Sequence, residues 1–206
     1  LGAPPEASGP VTHMEELEIG EGDIDFNGED DSGFKQRIMS LMFKPAWAKM
    51  NKSTITFKDL KPWVFSQKKV ETYVERVKAL LEKASDNALN DSKIEERYHK
   101  LYRRIVLSTA WQESCFRQFR VRKKKVTYLL SYNNTSVGLM QINERVWRGI
   151  YDRQHLRWDI QYNAAAGCEI IDIYLGKYTL DRINKKKAGI TLDDDTLARI
   201  VYAMYN

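Results

Sequence analysis

The sequence predicts a mainly α fold: a helical domain with a small β-hairpin, preceded by a helical N-terminal extension. Three observations lead there. Apolar residues recur at helical spacing over 67–84 and again over 94–109. Further helical patterning runs through 143–151, 163–178 and 196–205. Strand propensity is confined to one stretch, 126–142, around an Asn133-Asn134 turn signal.

A chain of 206 residues, 43% hydrophobic, fits one globular domain or one domain with an extension, and can bury a sizeable core. No apolar run approaches the ~18–20 residues that span a bilayer. The first ten residues carry Pro4, Pro5, Gly9 and Pro10 and no apolar core, so they do not read as a signal peptide. The chain starts at Leu1, and an upstream segment is expected to have been removed; export is therefore left open. Charge is lopsided. Residues 1–34 hold ten acidic residues and no Lys or Arg. The rest carries 33 basic residues against 18 acidic ones, a net of +15. Two readings follow: an anionic partner, or simply a basic solvated surface. Cys115 and Cys168 have neither metal spacing nor Cys-x-x-Cys spacing. They read as two buried thiols, or as a single disulfide if the protein is exported. His13, His99 and His155 sit at no ligand spacing, so no metal and no cofactor is expected.

Taken in order, 1–34 reads as an acidic flexible linker or tail, rich in Gly, Pro, Glu and Asp. Glu16-Leu17-Glu18-Ile19 alternates and could dock as an extended strand, the less favoured alternative. The helical N-terminal region, 35–94, opens with a short helix at 35–41 and a second at 56–65 broken by Pro62. A helix follows over 67–84 with Val70, Tyr73, Val74, Val77, Leu80 and Leu81 on one stripe, ended by Ser85-Asp86-Asn87. Ser92 and Glu95 form a capping box for the next helix, with Tyr98, Leu101, Tyr102, Ile105, Val106 and Thr109 on its stripe. The basic run Arg117, Arg120, Arg122, Lys123, Lys124, Lys125 precedes the hairpin, in which 126–132 pairs back on 137–142. A helix at 163–178 presents Ala164-Ala165-Ala166-Gly167 as a close-packing surface, and Asp193 or Asp194 caps the last helix.

Glu113 stands out. At about 100° per residue it returns to the apolar stripe, between the directions of Tyr102 and Val106. Burying a carboxylate there is costly, which favours its neutral form and suits a general acid. The competing reading is a surface pair with Arg117 at i+4.

Glu113-Ser114, Gly138-Leu139-Met140-Gln141-Ile142, Asp159 with Asn163 and Gly167, and Met204-Tyr205-Asn206 occur in that order. This series resembles the lytic transglycosylase domain, the lysozyme-like catalytic fold of soluble lytic murein transglycosylases. The resemblance covers 95–206, just over half the chain. It implies that Glu113 is the single acid/base, with Tyr205 close to its carboxyl. It implies that Ser114 packs or orients the helix end, and that Met140, Gln141 and Asn206 belong to the substrate-binding cleft. Met140 also reads as gap-filling core, and Tyr205 as a packed aromatic. Three positions depart from the family pattern: Ile170 stands where a Tyr is usual, Met204 where Ala is usual, and the insert with Lys123-Lys124-Lys125 aligns with no motif. The pattern also continues past Asn206, so the domain is expected to extend beyond it.

The resemblance implies cleavage of the MurNAc-GlcNAc β-1,4 bond in peptidoglycan strands. The product is a 1,6-anhydro-MurNAc end, and no second carboxylate or cofactor takes part. It implies a periplasmic or cell-envelope location and no nucleic-acid partner. The alternatives are a lysozyme-like muramidase with a second acid, and a non-catalytic glycan- or nucleic-acid-binding module built on the basic run and Tyr128 and Tyr132.

Overall fold

The computed structural model describes residues 18–19, 57–185 and 192–206. The expected helix at 35–41, and all of 1–34 except Glu18–Ile19, lie outside these residues. The fold is mainly helical with two small sheets.

Strand β1 is Glu18–Ile19. Helix α1, Phe57–Leu60, runs into a 3-10 turn at Lys61–Trp63, which admits Pro62 because its missing N–H falls in the first turn. Helix α2, Val70–Asp91, buries Tyr73, Val77, Leu81, Ser85 and Leu89, a strict i,i+4 stripe. The expected stop at Ser85-Asp86-Asn87 does not occur. Three weak helix formers cost less than about 0.7 kcal/mol each, whereas burying Leu89 contributes about 1.5–3 kcal/mol. Ser85 faces the Cys168 sulfur (3.9 Å), and Asp86 takes Arg103 (2.7 Å).

The expected capping box of Ser92 and Glu95 does not form either. Ser92 closes α2; its oxygen accepts the Ile94 N–H (3.0 Å) and its hydroxyl donates to Asp172. A half-buried carboxylate needs a donor more than an exposed helix end does. Glu95 pairs with Arg97 at the surface, and α3, His99–Ser114, starts after a 3-10 turn at Glu96–Tyr98.

The basic run is itself the larger hairpin. Strand β2, Phe119–Arg122, pairs antiparallel with β3, Lys125–Tyr128, through a two-residue turn in which Lys123 (φ 51°) and Lys124 (φ 63°) are both left-handed. Asn-Gly is the usual signal for that turn, and Lys-Lys carries none of it. On the other edge, β1 runs parallel to β3 with Glu18 opposite Lys125 and Ile19 opposite Val126. This dipeptide therefore follows the strand-docking alternative. The expected pairing of 126–132 with 137–142 shrinks to a bridge between Leu130 and Val137 around the Asn133-Asn134 turn. Strand β4, Ser136–Val137, instead pairs with β5, Ile142–Asn143, enclosing Gly138-Leu139-Met140-Gln141 in a tight loop.

Residues 143–151 form successive turns rather than the expected helix. The Asn143 side chain accepts the N–H groups of Arg145 and Val146 (3.0 and 3.2 Å), and Gly149 at φ 80° turns the chain away. Helix α4, Arg153–Trp158, is capped by Asp152, and α5, Ile160–Asp172, by Asp159. From α5 the chain continues as a π-helical segment, Ile173–Leu180, into α6, Asp181–Lys185. Helix α7, Asp194–Tyr205, is capped by Asp193, whose carboxylate accepts the Thr196 N–H (2.8 Å).

Helices α2 and α3 pack on α5, and α7 packs on α3. Their buried faces form one core with the β4–β5 loop. A smaller cluster under the β2–β3 hairpin joins Leu60, Val64, Phe119, Val126 and Trp158.

Candidate active site

The end of α3 delivers Glu113. The helix seals Tyr102, Val106, Thr109 and Ala110 in the core, but Glu113 follows on the same stripe at the last turn and is only half-buried. Cys115 (φ 50°) and Phe116 (φ 63°) then turn the chain sharply. Left-handed conformations cost non-glycine residues about 1–2 kcal/mol each. Burial of the Phe116 ring offsets this, together with the Tyr73 hydroxyl, which donates to the Phe116 carbonyl (2.8 Å). Cys115 is consequently exposed, contrary to the expectation of two buried thiols, while Cys168 is fully buried; both are free.

The loop between β4 and β5 is pinned against this helix end at nearly every polar atom. Ser114 Oγ donates to the Leu139 carbonyl (2.6 Å) and accepts the Arg117 N–H (3.0 Å). Gln118 Oε1 accepts the Leu139 N–H (2.7 Å), and Asn163 Oδ1 accepts the Met140 N–H (2.8 Å). Both amides are fully buried and use their NH2 groups on the Leu156 carbonyl, Gln118 also on Arg157 and Asn163 also on Val137. Gly138, at φ 78°, sits where a Cβ would lie 2.4 Å from both amides. Gly167 of α5 leaves room for Met140, whose side chain a Cβ there would meet at 2.5 Å.

A cleft of about 220 Å³ opens above this loop. Glu113, Gln141, Asn143, Trp147, Tyr174 and Tyr205 line it, with Ile170 as an apolar floor and Met204 and Asn206 at the end of α7. Glu113, Gln141, Tyr205 and Asn206 are thus brought together. Met140 and Ser114 are not at the surface of the cleft. Met140 is fully buried on Gly167, so its expected cleft contact gives way to the gap-filling alternative, and Ser114 acts through its bonds to the loop backbone. Tyr205 braces the loop by donating to the Met140 carbonyl (2.7 Å). The hydroxyl that reaches the carboxyl belongs to Tyr202, one helical turn earlier, which donates to Glu113 Oε1 (3.1 Å). No individual role was assigned to Tyr202, Tyr174 or Gln118 from the sequence. Tyr202 is discoverable from its i,i+3 spacing to Tyr205, and Tyr174 from its i,i+4 spacing to Ile170.

Burial pushes the Glu113 carboxyl above the ordinary glutamate range, and the Tyr202 hydrogen bond opposes that rise. The pair with Arg117 is not made: that side chain gives its Nε to the Ser114 carbonyl (3.1 Å). A half-buried carboxyl whose neutral form is favoured by burial, facing a cleft, suits acid–base chemistry. Glu113 is the one carboxylate among the described residues lining the cleft. The nearby acids are engaged elsewhere. Glu144 is held by Arg157 (2.6 and 2.8 Å) and Arg153 (3.2 Å), and Asp152 caps α4 and pairs with His155 (2.9 Å).

A larger cavity, about 580 Å³, lies between residues 88–95 and 169–184. It contains no motif residue, and its Asp172 and Glu169 carboxylates already take the hydroxyls of Ser92 and Tyr151. Its size does not outweigh the chemistry gathered at Glu113. Among the described residues no three His, Cys, Asp or Glu side chains gather as a metal site, and no helix is long and apolar enough to cross a membrane. The chain matches no protein-family model, no curated protein and no solved structure. The chemistry of the cleft therefore stands on its own residues.

Proposed function

We propose that the chain is a peptidoglycan lytic transglycosylase with a lysozyme-like catalytic domain over 95–206, acting in the periplasm or cell envelope. The observation that carries this reading is a cleft with one carboxylate among the described residues, Glu113, whose neutral form burial favours and whose hydrogen-bond partner is the Tyr202 hydroxyl rather than a charge. Most glycosidases need two carboxylates; a reaction that avoids water needs one.

In this reading Glu113 gives its proton to the glycosidic oxygen as the bond from C1 of MurNAc to that oxygen breaks. The substrate's own 2-acetamido group stabilises the cationic C1. The ionised Glu113 then takes the proton of the MurNAc C6 hydroxyl, and that oxygen bonds to C1, giving the 1,6-anhydro end. Gln141, Asn143 and Asn206 supply neutral donors and acceptors along the cleft, and Trp147 and Tyr174 offer rings for sugar faces. At about 220 Å³ the cleft is smaller than the roughly 300–1,000 Å³ of pockets that enclose a ligand, which suits a local grip on a long strand.

Mass spectrometry of digested sacculi tests the proposal. Anhydro ends, one water lighter than hydrolysed ends, are expected from the wild type, and Glu113→Gln is expected to release none. Reducing MurNAc ends alone would make the protein a muramidase. Undiminished clearing by Glu113→Gln would remove Glu113 from the chemistry. Salt-sensitive binding to DNA without sacculus degradation would favour a binding module on the β2–β3 hairpin.

A further inference from the structure

We infer that Tyr202 is the positioning residue for Glu113: by donating to Oε1 it assigns the transferable proton to Oε2 and steadies the carboxylate once that proton has left. The inference rests on the acid–base reading of Glu113 given above.

The geometry is specific. Tyr202 and Tyr205 lie three residues apart on α7 and divide two tasks, Tyr205 bracing the Met140 carbonyl and Tyr202 reaching Glu113 Oε1 at 3.1 Å. An oxygen that accepts a hydrogen bond is the poorer site for the carboxyl proton, so the neutral acid carries it on Oε2. A phenol also donates better to a carboxylate than to a carboxylic acid, so the contact strengthens as the proton leaves. Tyr202 can serve throughout a turnover, because burial and the neighbouring Glu113 push its own phenol up to about 12. No described cation competes for the role. Lining the cleft with the carboxyl are the neutral groups of Tyr205 on α7, Tyr174 on the π-helical segment, and Ser136, Gln141 and Asn143 on the β4–β5 hairpin. Arg117 is turned to the Ser114 carbonyl.

The test is a titration of Glu113 by carboxyl-carbon NMR in the full chain, in the wild type, Tyr202→Phe and Tyr205→Phe. Tyr202→Phe is expected to raise the Glu113 pKa by about one unit, as loss of a hydrogen bond to a charged group requires. The alkaline limb of the rate profile, where Glu113 loses the proton it must donate, should move with it, with kcat lowered about tenfold and KM unchanged. Tyr205→Phe is expected to lower the melting temperature and leave the Glu113 titration in place. An unmoved titration in Tyr202→Phe, with the fold intact by circular dichroism, would overturn the inference. The titration needs no substrate, so it stands or falls apart from the identity of the sugar products.

Discussion

At the residue scale, the half-burial of Glu113 works against stability once its carboxyl is ionised. Its folded-state pKa lies above the unfolded value, so between those values the folded state binds more protons than the unfolded chain. The contribution of Glu113 to stability is therefore most favourable below the ordinary glutamate pKa of about 4.3. It falls as pH rises through the raised value, then levels off. Glu113→Gln removes the charge but keeps an oxygen to accept the Tyr202 hydroxyl. The variant is expected to melt higher than the wild type at pH 7, and the gain should vanish near pH 4. Calorimetry at both pH values checks this; an equal gain at both would mean that the ionised carboxylate is not destabilising. Ser114 makes the opposite case. Its buried hydroxyl joins the helix end to Leu139 and Arg117, and Ser114→Ala strands the Leu139 carbonyl, while the Arg117 N–H keeps the Ser114 carbonyl (3.2 Å), at a cost of about 1–3 kcal/mol, readable by urea denaturation. Glu113 was legible because a carboxylate on an apolar stripe breaks the pattern around it. Tyr202 was not, because a tyrosine on the last turn of an amphipathic helix breaks nothing. Gln118 was hidden by its neighbours: inside a basic run, nothing marks one amide as buried.

At the scale of elements, the site is two glycine-dependent contacts that let a loop lie against two helices. Four of the five helical patterns form helices, each with a buried face, and the departures from expectation have local physical causes. Helix α2 ran past a turn signal because Leu89 had a core to enter, and 143–151 failed as a helix because Asn143 and Gly149 took the backbone elsewhere. The β2–β3 turn was invisible because two lysines adopt the backbone that Asn-Gly normally announces. Gly138 and Gly167 were legible as motif letters but not as contacts, since their meaning lies in what a Cβ would strike. Gly167→Ala would press on Met140 and is expected to cost about 1–3 kcal/mol. Met140→Ala should restore part of that, since it removes the Cγ and Cε that the new methyl meets, and a double-mutant cycle measures the coupling. Additive effects would show that the two positions do not touch. Gly138→Ala has no such remedy, because the methyl would strike two buried, fully bonded amides and also require a positive φ.

At the scale of the whole molecule, the charge pattern and the cleft are separate devices. Outside residues 1–34 the chain carries a net of +15, and much of it is concentrated on the β2–β3 hairpin, whose strands and turn expose Arg120, Arg122, Lys123 and Lys124. The acidic excess of 1–34 was visible in the sequence, as was the alternative of strand docking at 16–19; that β3 is the partner of Glu18–Ile19 was not, since a parallel pairing across more than a hundred residues leaves no local trace. The same holds for α2, which shares its core with α3 and α5 although no motif links it to the cleft. The cleft itself has no described cation among its lining residues, and Glu113 makes no ion pair with any described residue. Salt should therefore act on encounter with an anionic wall polymer and not on the chemical step. Screening lengths shrink from about 10 Å at 0.1 M to about 3 Å at 1 M, and steered association falls steeply over that range. Digestion of soluble glycan strands bearing acidic peptides is expected to show KM rising about tenfold between those concentrations while kcat holds. Replacing Arg120, Arg122 and Lys123 by Gln should flatten the salt dependence and leave kcat unchanged. A kcat that falls in step with salt in the wild type would place the charge effect inside the cleft, and the separation of steering from chemistry would be lost.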